Sequence, residues 1–503
     1  MKKVYPFIFF ITILLVLFII SANVNRFDFD LWARLIAGMG VIEGHQVLKT
    51  DILSYTPTHT WWDHEYGSGV VFYIFLKYFG AYSLILLQTV ICFLIFFFVT
   101  KIINIRGQKE PYNFLFWLFP IIALAENFGS PIRCHLFSFL LFTIFLYILE
   151  HVRRGNTKLI YILPVLTVIW NNLHGGVVAG LGLIAMFGIG EIIEKKPFKH
   201  YITAGIISFA ALIINPWGWE YIKFLLMANF MPRPDVAEWW GIFSKHQLLN
   251  QIPFKIMLSL FLILESLVLT KYYRVSEGLN NRWKYFDKTK LILLIVTLYL
   301  SIAHVKMIPF FVITFCAYCY EDFKEYIEIK LPKNIINLTT YIMFAVCIFA
   351  LSVKTYELPA GDYTYPIREV EFLKINNIKG NILANFGFGS YISYKLYPHN
   401  KIFMDGRYEE VYNDDMIPLL KKFFLIKPGW DEVLKKYPPD IILVEKDYPI
   451  FMVLNRMPEW NKAYESERFV LYLNKKLTQN SYIQPTDNLD YYKNTLFDTD
   501  IKF

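Results

Sequence analysis

Residues 25–67 read NRFDFDLWARLIAGMGVIEGHQVLKTDILSYTPTHTWWDHEYG, and they follow an apolar run over residues 4–20. Carboxylates and tryptophans are interleaved in this stretch, whereas the other segments of the first half of the chain are overwhelmingly apolar. Within it lie Asp28, Asp30, Asp51, Asp63, His64 and Glu65, together with Trp32, Trp61 and Trp62. Since a carboxylate beside a bilayer is costly without a partner or a task, the stretch is the first candidate for a functional loop.

The composition is that of a membrane protein. The 503 residues are 55% hydrophobic and 18% aromatic, against about 45–50% apolar residues in a typical soluble domain. The net charge of +8 is distributed as short basic clusters between apolar segments, which is typical of cytoplasmic loops. This distribution excludes nucleic acid as the partner that the positive charge would otherwise suggest.

Hydrophobic segments predict about eleven membrane crossings. They cover residues 4–20, 82–103, 114–127, 136–151, 159–171, 177–193, 201–214, 256–269, 291–303, 307–320 and 335–353. Lys2 and Lys3 precede the first segment, which is longer than a signal-peptide core, so we expect an uncleaved anchor and a cytoplasmic N-terminus. The later basic clusters fall on the same side of the membrane. The chain is therefore expected in the cell membrane as a multi-pass protein.

The pattern changes to short β-rich runs near residue 357. Residues 381–385, 401–405 and 440–445 read as strands that alternate with amphipathic segments such as residues 416–426, which predicts an α/β domain. An odd number of crossings places this domain outside the cytoplasm. The predicted organisation is a transmembrane domain over residues 1–355 with a first outer loop at 22–69, an α/β domain at 356–475, and a poorly ordered polar tail at 476–503.

Asp30 is the leading candidate for a catalytic base. A base that takes a proton from a hydroxyl must lie within hydrogen-bond reach of it, and an apolar wall raises the basicity of a carboxylate. Asp30 precedes a predicted amphipathic helix over residues 31–43, so a helix N-cap is the structural alternative. Asp28 and Asp30 also form a DxD pair, whose oxygens could hold a divalent cation such as Mg²⁺ or Mn²⁺.

The predicted topology places most unusual polar residues on one membrane face. The acids of the first loop, Asp28, Asp30, Asp51 and Glu65, are the catalytic candidates. The candidates for substrate binding are His64, Arg133, His135, Asn172, His174, His304 and Lys306. Cationic side chains of this kind can bind a phosphate-bearing lipid. The structural alternative for each residue alone is solvation at the membrane interface or helix capping.

The Met404–Arg407 turn follows a predicted strand. Its acidic and basic side chains fit either a ligand site at the carboxyl end of the strand or an Asp–Arg pair that holds the turn. Both interpretations stay open at the level of the sequence.

Several blocks of the sequence resemble bacterial GT-C-type membrane glycosyltransferases. The blocks are DLWARLIAGMGVIEGHQVLKTDILSYT (30–56), WWDHE (61–65), SPIRCHLFSF (130–139), WNNLHGG (170–176), INPWG (214–218), HVKMIPFF (304–311), GNILANFGFGSYISYKLYP (380–398) and FMDGRYEEVY (403–412). They follow in the order of that family over most of the chain.

The resemblance implies a GT-C-like polytopic α-helical membrane protein with a C-terminal extracytoplasmic α/β domain. It further implies transfer of a sugar from a polyprenyl-phosphate donor to an extracytoplasmic glycan, lipid or protein acceptor. Asp30 takes the place of the catalytic aspartate, and we expect inversion at the sugar. The alternative is a non-enzymatic transporter of lipid-linked glycans or a membrane scaffold, but such carriers tend to have repeated halves and midplane polar sites, which we do not find.

Overall fold

The computed structural model describes residues 4–23, 27–128, 132–234, 236–275, 286–328, 331–354, 356 and 364–503. Residues 25, 26 and 355, which lie at predicted boundaries of the first loop and the membrane domain, fall outside these ranges. The chain forms two compact units. The membrane unit comprises residues 1–24 and 85–357, and the sheet unit comprises residues 25–84 and 358–503.

Long helices dominate the first part of the chain. They are α1 Val4–Ala22, α2 Leu31–Ile42, α3 Tyr66–Phe79, α4 Tyr82–Ile105, α5 Phe114–Phe128, α6 His135–Arg153, α7 Leu163–Leu173, α8 Val178–Ile193, α9 Lys199–Ala211, α10 Trp219–Phe230, α11 Ile252–Val275, α12 Lys288–Ala303, α13 Ile308–Tyr326 and α14 Lys333–Val353. Each predicted crossing coincides with one of them. Within the described ranges, six helical segments are long and apolar enough to cross a membrane, so the number of crossings stays a prediction.

Local sequence explains where several helices of the membrane unit begin. Proline occupies the first turn of α7 and of α13, where its missing N–H breaks no helical hydrogen bond. The Asp287 side chain caps α12 by accepting a hydrogen bond from the Lys290 N–H. In the packed unit, α12 lies against α8 and α13, α9 lies against α7 and α8, and α1 lies against α14.

The sheet unit takes its strands from the C-terminal part of the chain. The strands are β1 Gly380–Leu383, β2 Asn400–Ile402, β3 Ile441–Glu445, β4 Trp460–Glu465 and β5 Phe469–Asn474, and the helices are α15 Ile367–Ile375, α16 Phe386–Leu396, α17 Tyr408–Val411, α18 Met416–Phe424, α19 Glu432–Lys436, α20 Ile450–Leu454 and α21 Leu489–Thr495. The strand order is β2-β1-β3-β5-β4. β1 runs parallel to β2 and β3, and β5 runs antiparallel to β3 and β4. The β4–β5 hairpin was not among the predicted strands.

The first loop adds a segment to the edge of this sheet. Ser54 pairs with Ile402 of β2 in a parallel bridge. The Tyr55 N–H donates to the Ile402 carbonyl at 3.0 Å, and the Ile402 N–H donates to the Leu53 carbonyl at 3.0 Å. Backbone pairing at an exposed sheet edge satisfies groups that would otherwise need water. This pairing is why residues 25–84 group with the C-terminal strands and not with the membrane helices, where the sequence placed them.

Two glycines let α2 and α3 approach closely. A Cβ atom at Gly38 would lie 2.2 Å from the Gly69 carbonyl oxygen, and one at Gly69 would lie 2.2 Å from the Arg34 carbonyl oxygen. Only glycine fits at either position. α2 also packs on α16, and its indole-bearing residue Trp32 is fully buried.

The C-terminal tail packs onto the sheet unit, which corrects the expectation of a poorly ordered segment. The Lys395 ammonium donates to the carbonyls of Thr495 at 2.7 Å and Asp498 at 2.8 Å. The Phe497 ring lies 5.4 Å from the Trp32 ring, measured between centroids. The few apolar residues of the tail pack into the core of the sheet unit. The polar composition of the tail did not indicate this packing.

Candidate active site

Asp28 and Asp30 lie at the entry to α2. The Asp30 N–H donates to Asp28 Oδ1 at 3.1 Å. Asp30 directly precedes the helix, yet its side chain makes no capping hydrogen bond. The carboxyl group is half-buried, and Asp28 beside it is buried. Helix capping, the structural alternative for Asp30, is therefore not what the side chain does.

The turn after β2 reaches the Asp30 carboxyl group. A Cβ atom built at Gly406 would lie 2.7 Å from Asp30 Oδ1, closer than real Cβ contacts allow. The absence of a side chain at Gly406 is thus what permits the backbone of this turn to lie against the carboxylate. A segment from the C-terminal part of the chain contributes a wall of the candidate site within the sheet unit.

Arg407 holds that turn. Its Nε donates to both carboxylate oxygens of Asp405, at 2.9 and 3.0 Å, and its Nη1 donates to Asp51 Oδ1 at 2.7 Å. The guanidinium also lies 4.5 Å from the centre of the Trp61 ring. All these groups are buried or nearly so. Of the two interpretations of the Met404–Arg407 turn, the structure shows the Asp–Arg pair.

Asp51 serves this turn as well. Its Oδ1 accepts from the Leu53 N–H and its Oδ2 from the Ser54 N–H. Burial alone would raise the pKa of Asp51, but Arg407 and these hydrogen bonds hold the pKa below its usual value. A carboxylate with a lowered pKa is a weaker base. We therefore assign Asp51 to the support of the sheet-edge segment in place of the catalytic role expected from the sequence.

A second buried network surrounds Arg34, one helical turn after Asp30. The guanidinium forms ion pairs with Asp63, with Glu65 at 3.4 Å and with Glu410 at 2.9 Å. Glu410 also accepts from the Trp61 indole N–H at 3.0 Å. Three carboxylates from two distant parts of the chain converge on one cation, so Glu65, a predicted catalytic residue, lies within an ion-pair network.

His64 completes this network. Its Nδ1 lies 3.0 Å from Glu410 Oε1, and its Nε2 lies 3.7 Å from Glu65 Oε1. Burial alone would lower the pKa of His64, but the carboxylates of Glu410 and Glu65 raise the pKa to about 9. The imidazolium form is therefore favoured at neutral pH, and each ring nitrogen faces a carboxylate oxygen.

The predicted metal pair does not fit a cation well. Asp28 Oδ1 already accepts the Asp30 N–H. Among the described residues, Asp28 and Asp30 belong to no group of three His, Cys, Asp or Glu side chains whose ligand atoms converge. His64, Glu65 and Glu410 do converge, but the Arg34 guanidinium pairs with both carboxylates. A metal at Asp28 and Asp30 stays a prediction from the sequence, and no chemical step below uses it.

In the membrane unit, several predicted cations gather around the short helix Ala237–Trp239. Arg133 forms an ion pair with Glu238 at 2.7 Å. The Lys306 ammonium lies 3.4 Å from the centre of the Trp239 ring, and His304 Nδ1 lies 2.7 Å from the Trp239 carbonyl oxygen. Arg133 comes from a different loop from His304 and Lys306, so the tertiary fold brings together residues that the topology placed on one face.

The predicted histidines of α6 and of the segment after α7 also meet. The rings of His135 and His174 lie 4.7 Å apart between centroids. His174 Nδ1 lies 2.7 Å from Ser138 Oγ, which accepts from the Trp170 indole N–H at 2.7 Å. The polar partner that a buried His174 requires is thus Ser138.

Asn172 has a supporting position. Its amide donates to the Val168 carbonyl at 2.7 Å and to the Ile214 carbonyl at 2.8 Å. These bonds tie the end of α7 to the segment after α9. The amide N–H groups of Asn172 are therefore engaged by backbone, which leaves its predicted role in substrate binding without support from its contacts.

Sequence reasoning missed three residues of these groups, Arg34, Glu238 and Gly406, and did not connect Glu410 with Arg34. Arg34 had a detectable signal, since a charged residue four positions after Asp30 stands on the same face of an otherwise apolar helix. Glu410 was noted only as part of the turn region. Glu238 lay unremarked in a tryptophan-rich loop, and nothing in the local sequence marks Gly406.

Comparison with family models and with curated proteins found no match. Among solved structures, the chain is similar to the cryo-EM structure of the arabinofuranosyltransferase AftD from Mycobacteria, with a TM-score of 0.51 at 11% sequence identity. The similarity covers 94% of this chain and 40% of the AftD chain, so this chain spans less than half the length of AftD. The chain shares the fold of AftD, which confirms the predicted resemblance at the level of the fold.

Proposed function

We propose that the chain is a membrane glycosyltransferase that uses a polyprenyl-phosphate-linked sugar as donor and an extracytoplasmic glycan, lipid or protein as acceptor. The observation that carries this proposal is the fold, which matches AftD over 94% of the chain. The half-buried Asp30 carboxyl group, walled by Gly406, adds a candidate base.

Asp30 is the base in this proposal. It takes the proton of the acceptor hydroxyl as the acceptor oxygen attacks the anomeric carbon from the face opposite the phosphate. The bond from the anomeric carbon to the phosphate oxygen breaks, the configuration inverts, and the polyprenyl phosphate leaves as an anion. Asp28 fixes the backbone at Asp30 through its bond to the Asp30 N–H.

The donor phosphate belongs with the cationic group of the membrane unit. Arg133 and Lys306 supply fixed positive charge within that unit, and cationic side chains of this kind pair with a phosphate. The basic clusters between apolar segments support a cytoplasmic N-terminus, and with it an extracytoplasmic position of the sheet unit and the acceptor. The non-enzymatic transporter finds no specific support in the described contacts.

Asp30→Asn tests the role of the base. Membranes that contain the full-length variant and a lipid-linked sugar should show transfer reduced at least about 100-fold, as expected for loss of a general base. The measurement is incorporation of radiolabelled sugar into the acceptor fraction. Full transfer by a folded, inserted D30N protein would refute the assignment.

Asp415→Asn is the matched control. Asp415 also directly precedes a helix of the sheet unit and makes no side-chain capping bond, but it is exposed. D415N should keep wild-type transfer, so a loss specific to D30N reports the chemistry and not the removal of a carboxylate at a helix start.

A further inference from the structure

Glu238 of the membrane unit is paired with a cation that the proposed function needs for its substrate. Arg133 Nη1 donates to Glu238 Oε2 at 2.7 Å, and Arg133 Nη2 reaches Oε1 at 3.5 Å. The two nitrogens of the guanidinium thus face the two oxygens of one carboxylate. Both side chains keep solvent contact, with 25% and 28% of their surface exposed, so the pair can exchange partners without unfolding a core.

The residue after Glu238 is held by further cations. Trp239 lies under the Lys306 ammonium at 3.4 Å and beside the Arg233 guanidinium at 4.5 Å, each measured to the ring centre. Contacts of this type attract a cation to the face of an indole. The Ala237–Trp239 helix therefore carries one carboxylate into a group of three fixed positive charges, those of Arg133, Arg233 and Lys306.

The carboxylate stays ionised in this surrounding. Burial alone would raise the pKa of Glu238, but Arg133, with Lys306 behind it, lowers the pKa to about 2. A carboxylate and a phosphate present the same pair of oxygens to the fork of an arginine. An anionic ligand that approaches Arg133 must compete with a permanently charged internal anion.

We propose that Glu238 is an internal substitute for the donor phosphate, which occupies Arg133 until the phosphate of a lipid-linked substrate displaces it. The inference rests on the proposed function for its ligand, a phosphate monoester or diester on a polyprenyl chain. The displaced carboxylate moves with the Ala237–Trp239 helix, while the cations that faced it turn to the phosphate. In the absence of substrate, Glu238 neutralises the charge of Arg133. Breaking this ion pair costs free energy, which weakens the binding of the phosphate.

Removal of the carboxylate should therefore tighten phosphate binding. Full-length Glu238→Gln and Glu238→Ala proteins in phosphatidylcholine nanodiscs that contain polyprenyl phosphate should bind this lipid more tightly than wild type, on the order of 10-fold. Inorganic phosphate in solution forms the second arm of the experiment. A gain in the lipid arm, with or without one for inorganic phosphate, supports the proposal; a gain for inorganic phosphate alone overturns the lipid assignment.

Two further variants fix the interpretation. Glu220→Gln removes an exposed carboxylate of the same unit, paired with Lys223 at 2.7 Å, and should bind like wild type. The double variant R133Q/E238Q should lose the gain, because Arg133 is the group released by the substitution. Equal or weaker lipid binding by folded E238Q and E238A, or a gain that persists without Arg133, overturns the inference.

Binding and transfer can fail independently. Tighter lipid binding by E238Q in a protein without sugar transfer would retain the inference and refute the proposed function. Normal transfer that D30N abolishes, together with unchanged lipid binding by E238Q, would refute the inference about Glu238 and support the proposed function. Thermal unfolding midpoints identify any variant that does not fold. Because Gln and Ala differ in volume, either E238Q or E238A can serve as the test if the other does not fold.

Discussion

A Cβ atom at Gly406 would lie only 2.7 Å from Asp30 Oδ1. Glycine is therefore the residue that fits at this position without moving the Asp30 carboxylate. The carboxylate is the flexible member of this contact, since the turn is fixed by the bonds of Arg407 to Asp405 and Asp51. An added methyl group would therefore move the Asp30 side chain and leave the turn in place.

Gly406→Ala should impair transfer without unfolding the protein. A displacement of about 1 Å of a reacting group can reduce the rate by about 100-fold, so we expect a loss of that order in kcat. Gly387→Ala is the control, because its Cβ would find only Asn385 Oδ1 at 3.9 Å. The measurement is transfer at saturating donor together with the thermal midpoint; equal activity of the two variants would contradict the placement of Gly406 beside the base.

His64 makes the stability of the sheet unit depend on pH. Its folded pKa of about 9 lies above the value of about 6.5 for an unfolded chain. The stabilisation is complete below pH ~6.5 and is lost as the pH rises through ~9, and it amounts to at most about 3.5 kcal/mol at about 1.4 kcal/mol per pKa unit.

The wild-type thermal midpoint should therefore exceed that of His64→Gln at pH ~6, and the difference should shrink toward pH ~10. The effects of other titrating groups cancel when the thermal midpoint of one protein is subtracted from that of the other. His399→Gln, at an exposed position of the same unit, should follow wild type at every pH. A constant difference between wild type and H64Q would show that His64 does not form the imidazolium between Glu410 and Glu65.

Among the helices, one arginine joins three elements of the membrane unit. Arg153, at the end of α6, donates to Glu191 of α8 at 2.8 Å and to Glu194 just after it at 3.1 Å. It also donates at 2.8 Å to Asp287, which caps α12. The side chain is 11% exposed, so its removal leaves three carboxylates with little solvent to replace it.

Arg153→Gln should destabilise the membrane unit by about 3–5 kcal/mol, the cost of breaking a buried ion pair from one side. The neighbouring Arg154→Gln is the control, since Arg154 is 45% exposed and its contact to Glu150 is 3.8 Å long. The thermal midpoint in detergent should fall for R153Q alone. A similar midpoint for both variants would mean that the network does not hold these helices together.

For the molecule as a whole, the sheet unit is discontinuous in sequence. Its edge segment around Ser54 and its helix α2 precede nearly the entire membrane unit, while the strands they join follow it. The candidate base Asp30 and the glycine that walls it are 376 positions apart by residue number (406 − 30). Long-range contacts of this kind cannot be predicted when each loop is assigned to the helices beside it in the sequence.

The sequence by itself determined the class of the protein and the location of its elements. Apolar length marked a helix at every predicted crossing, and short β-rich runs marked β1, β2 and β3, because both signals are local in the sequence. The role of Asp30 as the catalytic base stays a prediction from the sequence. The resemblance of the sequence blocks predicted the GT-C-like fold that the structural comparison confirms.

Only the tertiary structure decided which charges meet. Asp51 and Glu65 look like Asp30 in the sequence, but Arg407 and Arg34 engage them as ion pairs. Likewise, Arg133 was predicted as a substrate-binding cation, and the structure pairs it with Glu238. The physical reason is that the role of a charged group depends on the opposite charges within a few ångströms, and these come from segments far away in the chain.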